Sequence, residues 1–233
     1  MGAREVYLKT RKVPDLFWNL YICRPPAAAL VAGLAGTRVT PNQITLSAVA
    51  VALVSVAVLL FVPGYFGALA AIVIFQVSYV LDCADGMLAR WRGIQSTAGH
   101  LLDFLMDEIK AFCLLAAVAV RLYLDHDDVR FLLVGLFGLV ALASGIALTT
   151  FTRRPEIAPP RVEGEPAATK ATFARRVIGV VERVAKFVIH YPSYILFAAL
   201  AGHLEAYFFP YVAVNALYAA KAFLGVSLRF GRG

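Results

Sequence analysis

The sequence predicts an all-α, polytopic membrane protein with six transmembrane helices and an N-terminal interfacial amphipathic helix. Three observations carry this. Hydrophobic residues make up 61% of the 233 and charged residues only 16%, whereas a soluble domain has about 25% charged residues. Mean hydropathy is +0.75. No charged residue stands between Arg38 and Asp82, room for two spans at about 20 residues each. Disordered, collagen-like and disulfide-scaffold classes are excluded by the same composition.

The first span is expected at 43–61 and the second at 66–91, with Pro63-Gly64 as the turn between them. A third runs over 96–123, polar in its first third and ended by the His126-Asp127-Asp128 cluster. The fourth covers Phe131 to Thr152 without a charge, and the fifth and sixth are expected at 184–202 and 206–228. Between the fourth and fifth, prolines and charges from Arg153 to Arg176 read as a loop. Residues 1–40 form a cytoplasmic and interfacial segment, in which Pro25-Pro26 and scattered aromatics suit a helix lying on the membrane rather than a span. Residues 41–233 form the transmembrane catalytic domain.

Lys and Arg set the orientation. The segment before the first span carries Arg4, Lys9, Arg11, Lys12, Arg24 and Arg38, and the 4–5 connection is equally basic. The 1–2 and 5–6 turns carry none, and the 3–4 turn sets Arg121 and Arg130 against three aspartates. Both termini therefore face the cytoplasm, in a cell inner membrane or plasma membrane. This also accounts for the net charge of +7 without a nucleic-acid partner. Cys23, Cys83 and Cys113 have no paired spacing and read as free thiols. The N-terminus lacks the apolar stretch and small-residue cleavage site of a removed signal peptide.

The chemistry lies in Asp82, Asp85, Asp103 and Asp107, all in or near the second and third spans. An aspartate at a helix centre costs about 2.5–3.5 kcal/mol on insertion scales, so four of them call for a purpose. The simplest structural purpose is ion pairing with Arg90, Arg92 and Lys110. Spacing argues for more. Asp82, Asp85, Gly86, Ala89 and Arg90 share one arc of the second helix, and Gly99, Asp103, Asp107 and Lys110 one stripe of the third. The short connection makes these helices antiparallel neighbours, so the carboxylates can face one another on the cytoplasmic side.

Oxygen ligands without His or Cys suit a hard ion such as Mg²⁺, Mn²⁺ or Ca²⁺. Arg90 beside them suits a phosphate, and the small residues leave room for a substrate. Together these read as phosphoryl chemistry. Two ions about 3.5–4 Å apart could clamp the attacking and leaving oxygens, and a carboxylate not consumed as a ligand could take a hydroxyl proton.

The run Asp82-x-x-Asp85-Gly86-x-x-Ala89-Arg90, then Gly99, Asp103 and Asp107 at their spacings, resembles the signature of the CDP-alcohol phosphotransferases at every fixed position. The Pro41-Asn42-x-x-Thr45 start of the first span resembles many members too. The resemblance implies a transfer dependent on Mg²⁺ or Mn²⁺, with two ions, in phospholipid biosynthesis. An acceptor hydroxyl attacks the β-phosphate of a CDP-linked donor and CMP leaves. The donor is CDP-diacylglycerol or a soluble CDP-alcohol such as CDP-inositol. Asp82, Asp85 and Asp103 are implied as metal ligands, and Asp107 as the base that also touches a metal. Gly86, Ala89, Arg90 and Gly99 would line the CDP site, and a homodimer is implied as well. Asn42 and Thr45 either cap the first span or reach the nucleotide.

The chain departs from many relatives in having Glu108, not a basic residue, directly after the fourth aspartate; helical geometry turns it off the Asp103–Asp107 stripe. Arg153 and Arg154, at the end of the fourth span, are the candidates for binding the acceptor. His190, Tyr191, Ser193 and Lys221 are candidate pocket walls. An intramembrane prenyltransferase would need more spans and a second Asp-rich motif. A cation transporter would need a helix broken at the midplane.

Overall fold

A computed structural model describes residues 2–12, 15–154, 156–157 and 190–231. Among them the chain is helical and without strands. Helix α1 is Ala3–Thr10. A π-helical turn, Asn19–Cys23, leads into α2, Arg24–Leu34. Pro25-Pro26 does not interrupt this segment: the prolines occupy the first turn of α2, where a missing N–H leaves no bond unmade. The long helices follow: α3 is Pro41–Phe61, α4 Gly64–Arg92, α5 Thr97–His126 and α6 Arg130–Thr152. The last two are α7, Tyr191–Leu200, and α8, Glu205–Phe230.

Among the described residues, four helices are long and apolar enough to cross a membrane: α3, α4, α6 and α8. Helix α5, expected as a span, is long but carries Asp103, Asp107, Glu108 and Lys110 in its first half. Of the span expected at 184–202, residues 184–189 lie outside the described residues, as does the loop expected beyond residue 157.

Two details correct the expectations from sequence. Helix α5 ends at His126 with Asp127 as its C-cap, so the His126-Asp127-Asp128 cluster ends it as expected, but Arg121, counted with the 3–4 turn, is buried within the helix and forms an ion pair with Asp125 one turn on. Helix α3 is capped by Thr40, whose hydroxyl accepts from Gln43 N–H at 3.3 Å while the Gln43 side chain accepts from Thr40 N–H at 2.9 Å. Asn42 and Thr45 are left for other work.

Two apolar cores hold the bundle. The larger joins α3 to α8 through Phe75, Leu114, Leu122, Ile195, Tyr207 and Phe208. Buried Ser55 and Ser78 donate across α3 and α4 to the carbonyls of Ala71 and Ala48, both at 2.7 Å, tying these two helices together. The smaller core packs Val6, Ala27, Ala28 and Val31 against Ile44, Ala84, Met87 and Leu88. It docks the N-terminal segment on the end of α4 that carries the aspartates. At 1.5 Å per residue, the 29 residues of α4 span about 44 Å, against a hydrocarbon thickness of about 30 Å. The helix is therefore longer than the apolar slab is thick.

Candidate active site

Helices α4 and α5 are joined by residues 93–96 but pack on each other only weakly: α3 lies against both, so the close pairing of these two helices expected from the short connection is not what is found. Gly93 makes the turn in the left-handed region, φ +66°. Arg92 clamps the end of α4 to the α2–α3 connection: its guanidinium donates to the carbonyls of Val39 (2.5 Å), Leu34 (2.9 Å) and Thr37 (2.9 Å). Ser96 starts α5 by accepting from Gly99 N–H at 3.0 Å. These contacts fix how the two helices sit against each other, and with that the placement of the carboxylates.

Asp82, Asp85 and Asp103 converge: each offers one oxygen, and these all lie within 4.8 Å of one another. Asp85 is buried and accepts from the Thr45 hydroxyl and from Gly86 N–H. Asp103 Oδ1 is buried and has no hydrogen-bond partner among the described residues. Three converging hard oxygens, one of them unsatisfied, fit a divalent cation. Asp107 stands apart from this triad. Its Oδ1 lies 2.8 Å from the ammonium of Lys110, which also donates to Asp82. Ion pairing by a basic residue of the signature region is thus realised by Lys110. Arg90 and Arg92 instead donate to backbone carbonyls.

A cavity of about 380 Å³ opens beside the triad. Asn42, Thr45, Gly86, Ala89, Arg90 and Gly99, the six candidates for nucleotide contact, all line it, with Asp85 and Asp103. Arg90 is held over it by donating to Thr10 C=O at 2.7 Å. Space explains the glycines. A Cβ on Gly86 would stand 3.2 Å from Arg90 Nη1, and one on Gly99 would stand 3.1 Å from Ser96 Oγ and 3.5 Å from Asn42 Oδ1. Lys12, Thr40, Gln95, Ser96 and His100 also line this cavity. Only local chain proximity, of His100 to Gly99 and of Thr40 to Pro41, could have signalled any of them.

A second cavity, about 920 Å³, lies on the Asp107 side between α5, α6 and α8. Its walls are largely apolar, with Arg153, His190 and Lys221 at polar positions. Arg154 is not among its lining residues. Glu108, expected off the aspartate stripe, lines the same cavity as Asp107. Tyr79, passed over in the sequence, joins them. Its hydroxyl lies 2.8 Å from Asn19 Oδ1 and 2.8 Å from His190 Nε2, and His190 Nδ1 lies 3.0 Å from Ser193 Oγ. The available signal was its place one turn before Asp82, on the same face of α4.

The match that decides the family is to the one described as CDP-alcohol phosphatidyltransferase, over residues 38–217. The chain belongs to this family. The bifunctional IPC transferase and DIPP synthase of Aquifex aeolicus (strain VF5) is 29% identical over 106 residues, 46% of this chain. The match covers only 24% of that protein's own length. The fold is similar to that of Mycobacterium tuberculosis phosphatidylinositol phosphate synthase, whose crystal structure has CDP-DAG bound. The TM-score is 0.56 at 18% identity, covering 86% of this chain and 93% of that one. At that identity the likeness concerns the fold alone.

Proposed function

We propose that the chain transfers a phospho-alcohol group, in the first instance phosphatidyl, from a CDP-linked donor to an acceptor hydroxyl, releasing CMP. The observation that carries this reading is the placement of the carboxylates between two cavities. Asp85 and Asp103 face the smaller and Asp107 the larger. The smaller cavity offers what a nucleoside diphosphate needs: glycine-lined close approach, the Arg90 and Lys12 charges, and the polar groups of Asn42 and Ser96. The larger offers an apolar wall and, near Asp107, room for an acceptor.

Asp82, Asp85 and Asp103 would hold Mg²⁺ or Mn²⁺. When bound, such an ion neutralises charge on the transferring phosphate and the departing CMP oxygen. A second ion would have to be shared by Asp82 and Asp107, the pair that Lys110 bridges. Thr45 orients Asp85, and Arg90 contributes positive charge at the diphosphate. Asp107 takes the proton of the acceptor hydroxyl as its oxygen bonds to the β-phosphorus. The bond from that phosphorus to the CMP oxygen breaks, and the electron pair leaves on CMP. Arg153, at the mouth of the larger cavity, is the basic residue placed to meet a charged acceptor.

The same reading completes the topology. Six spans, with α5 not apolar enough and α7 part of a span whose first residues lie outside the described ones, leave both termini and the aspartates on the cytoplasmic side. The basic flanks support it. A homodimer belongs to the reading through the family resemblance.

The test is CMP release by the purified chain from CDP-diacylglycerol and from CDP-inositol. Acceptors are glycerol phosphate, serine, inositol, inositol phosphate and diacylglycerol. One donor–acceptor pair should release CMP with Mg²⁺ or Mn²⁺ and stop on chelation. Release that survives thorough chelation, or no release from any pair, would overturn the reading.

A further inference from the structure

The carboxylate cluster already contains a cation supplied by the chain. Lys110 lies one turn beyond Asp107 on α5 and is 2% exposed. A lysine taken out of water is held there by anions close enough to replace its hydration. It has two, from different helices: its ammonium donates to Asp82 Oδ1 on α4 and stands 2.8 Å from Asp107 Oδ1 on α5. The remaining carboxylates have other arrangements. Asp85 takes the Thr45 hydroxyl and Gly86 N–H, and Asp103 keeps one buried oxygen without a hydrogen bond. Among the described residues Asp107 Oδ1 is likewise buried without a hydrogen bond, but it has the Lys110 ammonium at 2.8 Å, so the position left for a cation is at the Asp82–Asp85–Asp103 triad. The Asp82–Asp107 gap is taken.

We infer that Lys110 fills the second cation position of this site. The chain then binds one divalent ion, on Asp82, Asp85 and Asp103, and uses the Lys110 ammonium as a tethered partner that draws Asp107 toward Asp82. The inference rests on the proposal that the triad binds metal, and it adds a stoichiometry. An ion entering between Asp82 and Asp107 would meet a fixed positive charge in contact with both of its ligand oxygens, a strong repulsion at such a separation. It could enter only by displacing a lysine whose withdrawal would have to take its charge elsewhere through a buried setting. A tethered cation also cannot be lost to chelation, so Asp107 keeps its orientation whether or not metal is bound.

The probe is Mn²⁺, titrated into the purified full-length chain in detergent, with bound ions counted per chain and the bound species recorded by electron paramagnetic resonance. The wild-type chain should bind one Mn²⁺ with the spectrum of an isolated ion, and Lys110→Arg should do the same. Lys110→Met, which keeps the stem and removes the charge, should bind a second Mn²⁺ and show a magnetically coupled pair. Two ions or a coupled pair in the wild-type chain would overturn the inference, as would a folded Lys110→Met that still binds only one. If Lys110→Met does not fold, the wild-type count decides the matter by itself. A wild-type chain that binds no Mn²⁺ overturns the metal site altogether. The chelation arm of the CMP-release assay then shows separately whether transfer proceeds without metal.

Discussion

Thr45 gives the sharpest test of how the site is supported from outside the carboxylates. It is 3% exposed, lies a full helix away from the signature, and donates its hydroxyl to Asp85. Thr45→Val keeps the branched shape, so it opens no cavity, and it deletes the hydrogen bond to a buried carboxylate. Hydrogen bonds to charged groups contribute about 1.5–3 kcal/mol, which is about 10–150-fold in an equilibrium constant. Removing a group that orients a metal ligand typically lowers metal affinity or activity by about 10–100-fold. The two scales agree. Mn²⁺ affinity measured by calorimetry should therefore fall by roughly 10–100-fold in Thr45→Val, with a parallel rise in the Mg²⁺ concentration needed for CMP release. Thr45→Ser, which restores the hydroxyl, should recover most of both. Unchanged Mn²⁺ affinity in the valine variant, or a serine variant no better than valine, would refute the argument that Thr45 holds Asp85 for the metal.

Asp107→Asn should lower turnover by about 10²–10⁴-fold, the usual worth of a general base, while CDP-donor affinity stays near wild type; loss of metal and donor binding as complete as in Asp82→Asn would make Asp107 a ligand instead. Gly99→Ala places a Cβ 3.1 Å from Ser96 Oγ and 3.5 Å from Asn42 Oδ1. It should raise the donor KM with little change in the Mn²⁺ affinity of the triad, and an unaltered donor KM would detach Gly99 from the nucleotide cavity. Single cysteines at Gln95 and Asp127, introduced after replacing Cys23, Cys83 and Cys113, should be labelled from opposite sides of the membrane; labelling of both from one side would break the six-span topology.

Much of the fold was legible because a membrane chain writes its helices in composition. The uncharged runs and the Pro63-Gly64 turn place α3, α4, α6 and α8 within a few residues of where they stand. The placement of Arg121 inside α5 rather than in the turn has a physical cause. Arg121 and Asp125 look like surface charges in a list of residues, but they are one turn apart and neutralise each other within the helix. The N-terminal segment was less legible. Its role depends on contacts between residues far apart in sequence, such as Arg90 with Thr10 and Tyr79 with Asn19. Nothing in the local pattern of residues 3–24 announces that Lys12 will face one cavity and Leu16 the other.

The site divides in the same way. Spacing along one helix assigns residues to faces, so the stripe of Asp103, Asp107 and Lys110 on α5 and the arc of Asp82 to Arg90 on α4 could be read directly. What spacing cannot give is the rotation and offset of one helix against the other, and that offset decides which carboxylates meet. Here α3, which packs against both helices, sets it together with the four-residue connection, the Arg92 clamp and the Ser96 cap. Asp103 joins Asp82 and Asp85, while Asp107, one turn further along the stripe, faces the second cavity beside Lys110. A change of about one turn in that offset, roughly 6 Å along α5, would exchange the partners of Asp103 and Asp107 without altering a residue of the signature. The division between the carboxylates that converge for a metal and the carboxylate left for the acceptor's proton is therefore a property of the α4–α5 junction. Residues outside the signature, Arg92 and Ser96 among them, hold it in place.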